Sequence, residues 1–125
     1  MKLFSVEEAN ALLPDVRAIL VRLRRAYKRV LDFRDDAKRA SEGAEVGGGG
    51  APGGALYAAS LLELSSLTGE MEALGVQIKD YSRGLIDFPH LRGERVVLLC
   101  WQLGEGDRIM WWHDVDAGFA GRQPL

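Results

Sequence analysis

The sequence predicts an α+β fold, in which a long antiparallel helical hairpin packs on a small antiparallel β-sheet with an irregular C-terminal tail. The first observation behind this prediction is the spacing of apolar residues between residues 15 and 74, which alternates between three and four and is typical of helices. The second is a change after Gly75. From there apolar residues recur every two positions, and glycines and prolines separate short runs, as in strands joined by turns.

The first helix is predicted over residues 5–41. Ser5 and Glu8 have the spacing of a capping box, in which each side chain accepts a hydrogen bond from the other residue's backbone N–H. Pro14 has no backbone N–H to donate, so we expect a break or kink between Leu13 and Pro14. The heptad-like apolar stripe of this helix comprises Val16, Leu20, Leu23, Tyr27, Val30 and Ala37.

The second helix is predicted over residues 56–74, followed by Gly75 as its C-terminal cap. Residues 43–54 are dominated by glycine and hold no apolar periodicity, so we interpret them as a mobile glycine-rich connector between the two helices. The stripe predicted to face the first helix comprises Tyr57, Leu61, Leu64, Leu67, Thr68 and Met71.

Residues 76–125 are predicted to be rich in β-structure, with Pro89 interrupting an early extended segment. The segments 96–103 and 108–113 are predicted to form a hairpin in which Leu103 lies opposite Arg108. The core face of this hairpin would carry Leu99, Trp101, Met110 and Trp112. The opposite, mixed face, which could line a site, would carry Cys100, Gln102, Ile109, Trp111 and His113.

Length and composition indicate one globular domain spanning residues 1–125. The chain is 47% hydrophobic and 27% charged, with a formal net charge of −2. The single cysteine excludes an intrachain disulfide. No segment has the length and apolarity of a signal peptide or a membrane span, so we expect a cytoplasmic protein without a membrane partner.

Titratable side chains concentrate in the last third of the chain, where they form a candidate site. His113 and Asp116 lie close together at the end of a predicted strand and are the candidate metal ligands. With Glu105 or Asp87 they would form a two- or three-ligand oxygen and nitrogen site for a divalent transition metal. Arg122 could bind an anion, or it could pair with Asp114 or Asp116. The candidate site residues are Asp80, Asp87, Trp101, Glu105, His113, Asp116 and Arg122.

Three ordered motifs resemble one family of small prokaryotic proteins, the domain of unknown function 2203. The motifs lie at residues 4–14, at residues 75–89 and at residues 99–122, and they begin Phe4-Ser5, Gly75-Val76 and Leu99-Cys100-Trp101. The resemblance covers nearly the whole chain and implies a free-standing cytoplasmic protein whose activity has not been assigned. It also implies that the seven candidate residues belong to one motif set, whereas the glycine run matches none of the motifs.

Three functions remain open from the sequence. The first is a non-enzymatic interaction or regulatory module that uses the helical hairpin, with a homodimer as one form. The second is an enzyme that acts on a small molecule or depends on a divalent metal, which requires the polar C-terminal residues to converge in one pocket. The third is nucleic-acid binding by the first helix, where residues 15–41 hold nine Lys/Arg and four Asp. This is the least favoured, because aromatic residues do not alternate with the basic ones.

Overall fold

The computed structural model describes residues 1–42 and 53–125, and it confirms the predicted α+β class. The predicted connector lies outside the described residues except for Gly53, which precedes the second helix as its N-cap, and Gly54, which begins it. The elements are helices α1 (Val6–Glu42) and α2 (Gly54–Leu74), strands β1 (Gln77–Asp80), β2 (Leu85–Arg92), β3 (Arg95–Gln102), β4 (Trp111–Asp114) and β5 (Gln123–Pro124), and a 3₁₀ helix (Phe119–Gly121).

Helix α1 begins with the predicted capping box but does not break at Pro14. The Ser5 backbone N–H donates to Glu8 Oε1 over 2.9 Å, and the Glu8 N–H donates to Ser5 Oγ over 3.0 Å. The predicted break at Leu13–Pro14 is wrong, because α1 continues through Pro14 to Glu42. Pro14 lies on the exposed side of the helix, where water can bind the carbonyl group that the proline leaves without a donor.

The contact between the helices uses a stripe of α2 that differs from the predicted one. Leu67 and Met71 are buried as predicted, but Ser60 is buried while Leu61 is exposed. Arg29 of α1 explains the shift, because its Nε donates to Ser60 Oγ over 3.1 Å and keeps this face of α2 against α1. The buried positions of α1 are Ala9, Leu13, Val16, Leu20, Leu23, Ala26 and Val30.

The five strands form one antiparallel sheet in the order β1-β2-β3-β4-β5. Strand β2 continues through Pro89, so the predicted interruption there is wrong. The Pro89 carbonyl accepts a hydrogen bond from the Phe4 N–H over 2.7 Å. In an antiparallel strand the N–H and C=O of one residue point to the same side, so the missing donor of Pro89 faces away from β3.

The register between β3 and β4 agrees with the prediction, but the return strand begins later. Leu99 lies opposite Trp112 and Cys100 opposite Trp111, as Leu103 opposite Arg108 would require. Strand β4 begins only at Trp111, however, and the preceding loop buries Ile109 and exposes Met110, the reverse of the expected faces. Asn10 of α1 causes this reversal, because its Oδ1 accepts the Ile109 N–H over 2.8 Å and draws the loop onto the helix.

The sheet has two different faces. One face packs on the helices and contributes apolar side chains to the core: Ile86, Phe88, Val97, Leu99, Trp101 and Trp112. We call the opposite face the back face; strand alternation assigns to it Asp87, Cys100, Trp111 and His113. The C-terminal tail, predicted to be irregular, returns to the sheet as β5 beside β4. None of the helices in the described part of the chain is long and apolar enough to cross a membrane.

Candidate functional site

Three polar side chains from three neighbouring strands meet on the back face. Asp87 of β2 lies opposite Cys100 of β3, and His113 of β4 lies opposite Leu98, two residues from Cys100 along the same strand. Their relative exposures are 1%, 1% and 3%. The carboxylate, thiol and imidazole atoms that could bind a metal all lie within 4.8 Å of one another. We call these three residues the buried cluster.

Both ring nitrogens of His113 have a partner. Nδ1 lies 2.7 Å from the backbone carbonyl oxygen of Asp114, and Nε2 lies 3.0 Å from Asp87 Oδ2. A carbonyl oxygen only accepts hydrogen bonds, so Nδ1 carries a hydrogen and donates it. The other carboxylate oxygen, Asp87 Oδ1, is buried and has no hydrogen-bond partner among residues 1–42 and 53–125.

Burial changes the acidity of two members of the cluster. It raises the pKa of Asp87 above its usual value, although the neighbouring His113 opposes the rise. Burial, together with the adjacent Asp87, raises the pKa of the Cys100 thiol to about 12. Cys100 is therefore a neutral thiol near pH 7 and a poor nucleophile. His113 does not activate it, because both ring nitrogens are already hydrogen-bonded.

A second polar pair, Arg122 and Glu105, lies beside the buried cluster. Arg122 Nη1 is 2.9 Å from the Glu105 carboxylate, which also accepts the Gln102 N–H over 2.8 Å. The guanidinium carbon of Arg122 is 4.9 Å from the centre of the Trp111 ring and 4.1 Å from that of Phe119. The partner of Arg122 is thus Glu105, and the expected pairing with Asp114 or Asp116 is wrong.

The remaining predicted site residues lie apart from the cluster. Asp80 accepts the Arg83 N–H over 2.9 Å and stabilises the turn between β1 and β2. Trp101 is buried on the core face, where its Nε1 donates to the Gly106 carbonyl over 3.2 Å. Asp116 is exposed, and the group that could hold a metal combines His113 with Asp87 and Cys100 rather than with Asp116.

Cys100 is the one member of the cluster outside the predicted set of site residues, because a cysteine inside a strand is usually a small buried apolar residue. A signal was nevertheless present. The predicted register assigned Cys100 and His113 to one face, and Asp87 was already a candidate. The candidate site residues therefore come together only in part. Asp87 pairs with His113 and Glu105 pairs with Arg122, whereas Asp80 lies apart from both pairs, at the turn between β1 and β2.

The buried cluster offers one sulfur, one nitrogen and one carboxylate oxygen as metal ligands. This mixture suits zinc and related divalent transition metals better than magnesium or calcium, which favour oxygen ligands only. The hydrogen bond from His113 Nδ1 to the Asp114 carbonyl leaves Nε2 as the ligand atom, and metal-binding histidines commonly have such an orienting contact.

Comparison with known proteins identifies the family without indicating an activity. A search of the curated proteins and a search of the solved structures each found no match to the chain. One family model, described as an uncharacterized conserved protein (DUF2203), matches residues 2–125. This match contains all three sequence motifs and every residue of the buried cluster. The chain therefore belongs to the DUF2203 family of uncharacterized conserved proteins.

Proposed function

We propose that this protein binds a divalent transition metal, best matched by zinc, through Asp87, Cys100 and His113. The observation that carries the proposal is the meeting of three different ligand atoms within 4.8 Å on three adjacent strands. Near-complete burial favours a structural or regulatory metal over one that contacts a substrate. The proposed function is accordingly a metal-binding regulatory module, with metal-dependent catalysis as the less supported alternative.

Two further observations support a metal at this position. Within the described residues Asp87 Oδ1 is buried and has no hydrogen-bond partner, and a buried carboxylate oxygen that lacks a partner is energetically costly. A metal ion would satisfy it. Asp87 and Cys100 together would supply two negative charges, which would balance a divalent cation inside the protein.

Zinc titration of the purified protein tests the proposal. The protein should carry no histidine tag, and a chelator should first remove any bound metal. We expect one equivalent of zinc per chain, measured by competition with a chromophoric chelator and by elemental analysis. The Cys100→Ala and His113→Gln variants should bind at least about 10-fold more weakly because each loses one ligand.

His90→Gln is the matched control, since His90 is the only other histidine in the sequence and lies outside the buried cluster. This variant should bind zinc as the wild type does. Circular dichroism of each variant distinguishes loss of a ligand from loss of the fold. Wild-type protein that takes up less than about 0.1 equivalent of zinc would refute the proposal.

A second candidate function is self-association through the outer face of α2. Leu62 is 73% exposed there, and Leu56 and Leu61 are exposed on the same helix. Gly69 lies two turns after Leu62, and a Cβ atom at this position would meet no other atom within 4 Å in the described part of the chain. A glycine inside a helix is destabilising, so close approach by a second copy would account for it.

Nucleic-acid binding by α1 stays a prediction with less support. Six of the nine basic residues counted over residues 15–41 are within 4.0 Å of an acidic side chain, which reduces the positive charge available to phosphates. Binding to random duplex DNA at several salt concentrations would test it. The cytoplasmic location also stays a proposal that rests on the sequence.

A further inference from the structure

We propose that Arg122, held in place by Glu105, is a positioning residue of the metal site and donates a hydrogen bond to the Cys100 sulfur when that sulfur binds the metal. The inference rests on the proposed function and adds the C-terminal segment to the site. Arg122 would contact one of the three ligands and would not bind the metal itself. Such outer contacts commonly set the orientation and the affinity of metal ligands.

The guanidinium of Arg122 is held from several directions. Glu105 binds it through a salt bridge of 2.9 Å, and the side chains of Arg122 and Glu105 are only 13% and 19% exposed. Two aromatic rings, Trp111 and Phe119, lie within 5 Å of the guanidinium carbon. Glu105 is itself anchored by the Gln102 N–H. An arginine with so many contacts has little freedom, so its position beside the sheet is well defined.

Cys100 and this arginine have Trp111 as a common neighbour. Trp111 is the residue directly opposite Cys100 between β3 and β4, and Arg122 lies over the Trp111 ring. Arg122 carries N–H donors suited to a sulfur that has become a thiolate.

In the metal-bound site the positive and negative charges would cancel within two separate groups of residues. Asp87 and Cys100 would neutralise a divalent cation, while Glu105 neutralises Arg122. Arg122 can consequently remain beside the loaded site without leaving an uncompensated positive charge. Loss of Glu105 would remove this compensation and bring an unpaired arginine charge next to the metal.

Zinc affinity of four variants tests the proposal. We expect Arg122→Gln and Glu105→Gln to bind zinc about 10- to 100-fold more weakly than the wild type. Arg122→Lys retains a donor and a charge, so it should recover part of the loss. Arg17→Gln is the matched control. Like Arg122, Arg17 pairs with a carboxylate, that of Asp107, and lies over a tryptophan ring, Trp101, but on the helix side of the sheet.

Cobalt(II) replaces zinc as the spectroscopic probe. The thiolate-to-cobalt charge-transfer band reports the environment of the Cys100 sulfur, so it should shift in Arg122→Gln and stay unchanged in Arg17→Gln. A merely structural role of Arg122 would lower the stability of the protein without moving this band.

The outcomes separate the two proposals. If the wild type binds zinc but Arg122→Gln matches it in affinity and in the cobalt spectrum, the role of Arg122 is refuted and the metal site stands. Equal losses of affinity in Arg122→Gln and Arg17→Gln would also refute that role. If the wild type binds neither zinc nor cobalt, both proposals fall.

Discussion

His113 determines much of what the buried cluster can do, because both of its ring nitrogens are hydrogen-bonded. The Asp114 carbonyl holds one nitrogen, and the side chain of Asp87 holds the other. Both side chains are buried away from water, so Asp87 and His113 depend on each other for this hydrogen bond. Removing one partner leaves the other buried and unsatisfied, which is more costly than removing both.

This mutual dependence predicts how the Asp87–His113 pair contributes to the stability of the metal-free protein. We expect His113→Leu to lower the free energy of unfolding by about 3 kcal/mol, since Asp87 remains in the interior without its partner. The double variant Asp87→Leu/His113→Leu should recover most of that loss. Urea denaturation with a chelator present measures both. Strictly additive losses would show that the two residues do not stabilise each other.

Cys100 gives the protein a specific alkaline sensitivity. Its folded-state pKa is about 12, against an ordinary value of 9.0, so the folded protein holds the thiol proton more tightly than the unfolded chain between these values. Stability due to this group is complete below pH 9 and declines as the pH rises towards 12.

From pH 8 to pH 11 we expect the wild type to lose about 3 kcal/mol more than Cys100→Ala, whose side chain does not titrate. Denaturation of both proteins with a chelator at the two pH values measures the difference. Comparison of the two proteins removes the contribution of lysines and tyrosines that titrate in the same range. Parallel losses would contradict the raised pKa of Cys100.

At the scale of elements, contacts with distant residues change the turn conformations that the local sequence predicts. The loop between β3 and β4 departs from a simple hairpin because Asn10 binds the Ile109 N–H and Arg17 binds the Gly106 carbonyl. The turn between β1 and β2 similarly packs against Leu103, whose N–H donates to the Gly84 carbonyl over 3.1 Å. The conformations of these two turns therefore depend on the segments that pack against them.

Alanine substitutions at Gly84 and Gly93 measure how tightly each turn packs against its neighbours. Both have a positive φ, of 62° and 63°, so alanine is strained at either position. A Cβ at Gly84 would lie 2.8 Å from Leu103 Cγ, whereas one at Gly93 would meet no atom of the described residues within 4 Å.

We expect Gly84→Ala to cost about 3 kcal/mol and Gly93→Ala about 1 kcal/mol, because only the first combines backbone strain with overpacking. Urea denaturation of both variants measures the two costs. Similar costs would mean that Leu103 moves away without difficulty.

At the scale of the whole molecule, α1 packs against the sheet along its first half and contacts α2 further along. Residues of its first half, from Ala9 to Leu20, join the core formed with the sheet. Further along, Arg29 contacts Ser60 and Glu63 of α2. The side of α2 that faces away from α1 carries the exposed Leu62. Leu62 and Gly69 lie on the same side two turns apart, so an antiparallel second copy would bring each leucine onto the partner's glycine.

Gly69→Ala is expected to act in opposite directions on the monomer and on this dimer. It should stabilise the helix of the monomer by about 1 kcal/mol and weaken self-association, because the added methyl group blocks the close approach. Leu62→Glu should also weaken association, whereas Met110→Glu, at another exposed apolar residue, should not.

Light scattering over a range of protein concentrations, together with thermal denaturation, checks this expectation. A wild type that stays monomeric at all concentrations would exclude the dimer. Unchanged association in Gly69→Ala would exclude this particular face.

The sequence by itself determined the class of fold, the capping box at Ser5 and the register in which Leu99 lies opposite Trp112. These features follow from residues near one another in the chain, where spacing and periodicity carry the information. The sequence also brought Asp87, Glu105, His113 and Arg122 into one candidate set, partly through the family resemblance.

Only the tertiary structure decided which of these residues meet, that Cys100 joins Asp87 and His113, and that Arg122 binds Glu105. Such contacts depend on the path of loops and of the C-terminal segment. That path is determined by the packing of side chains from distant parts of the chain, and apolar periodicity does not encode it.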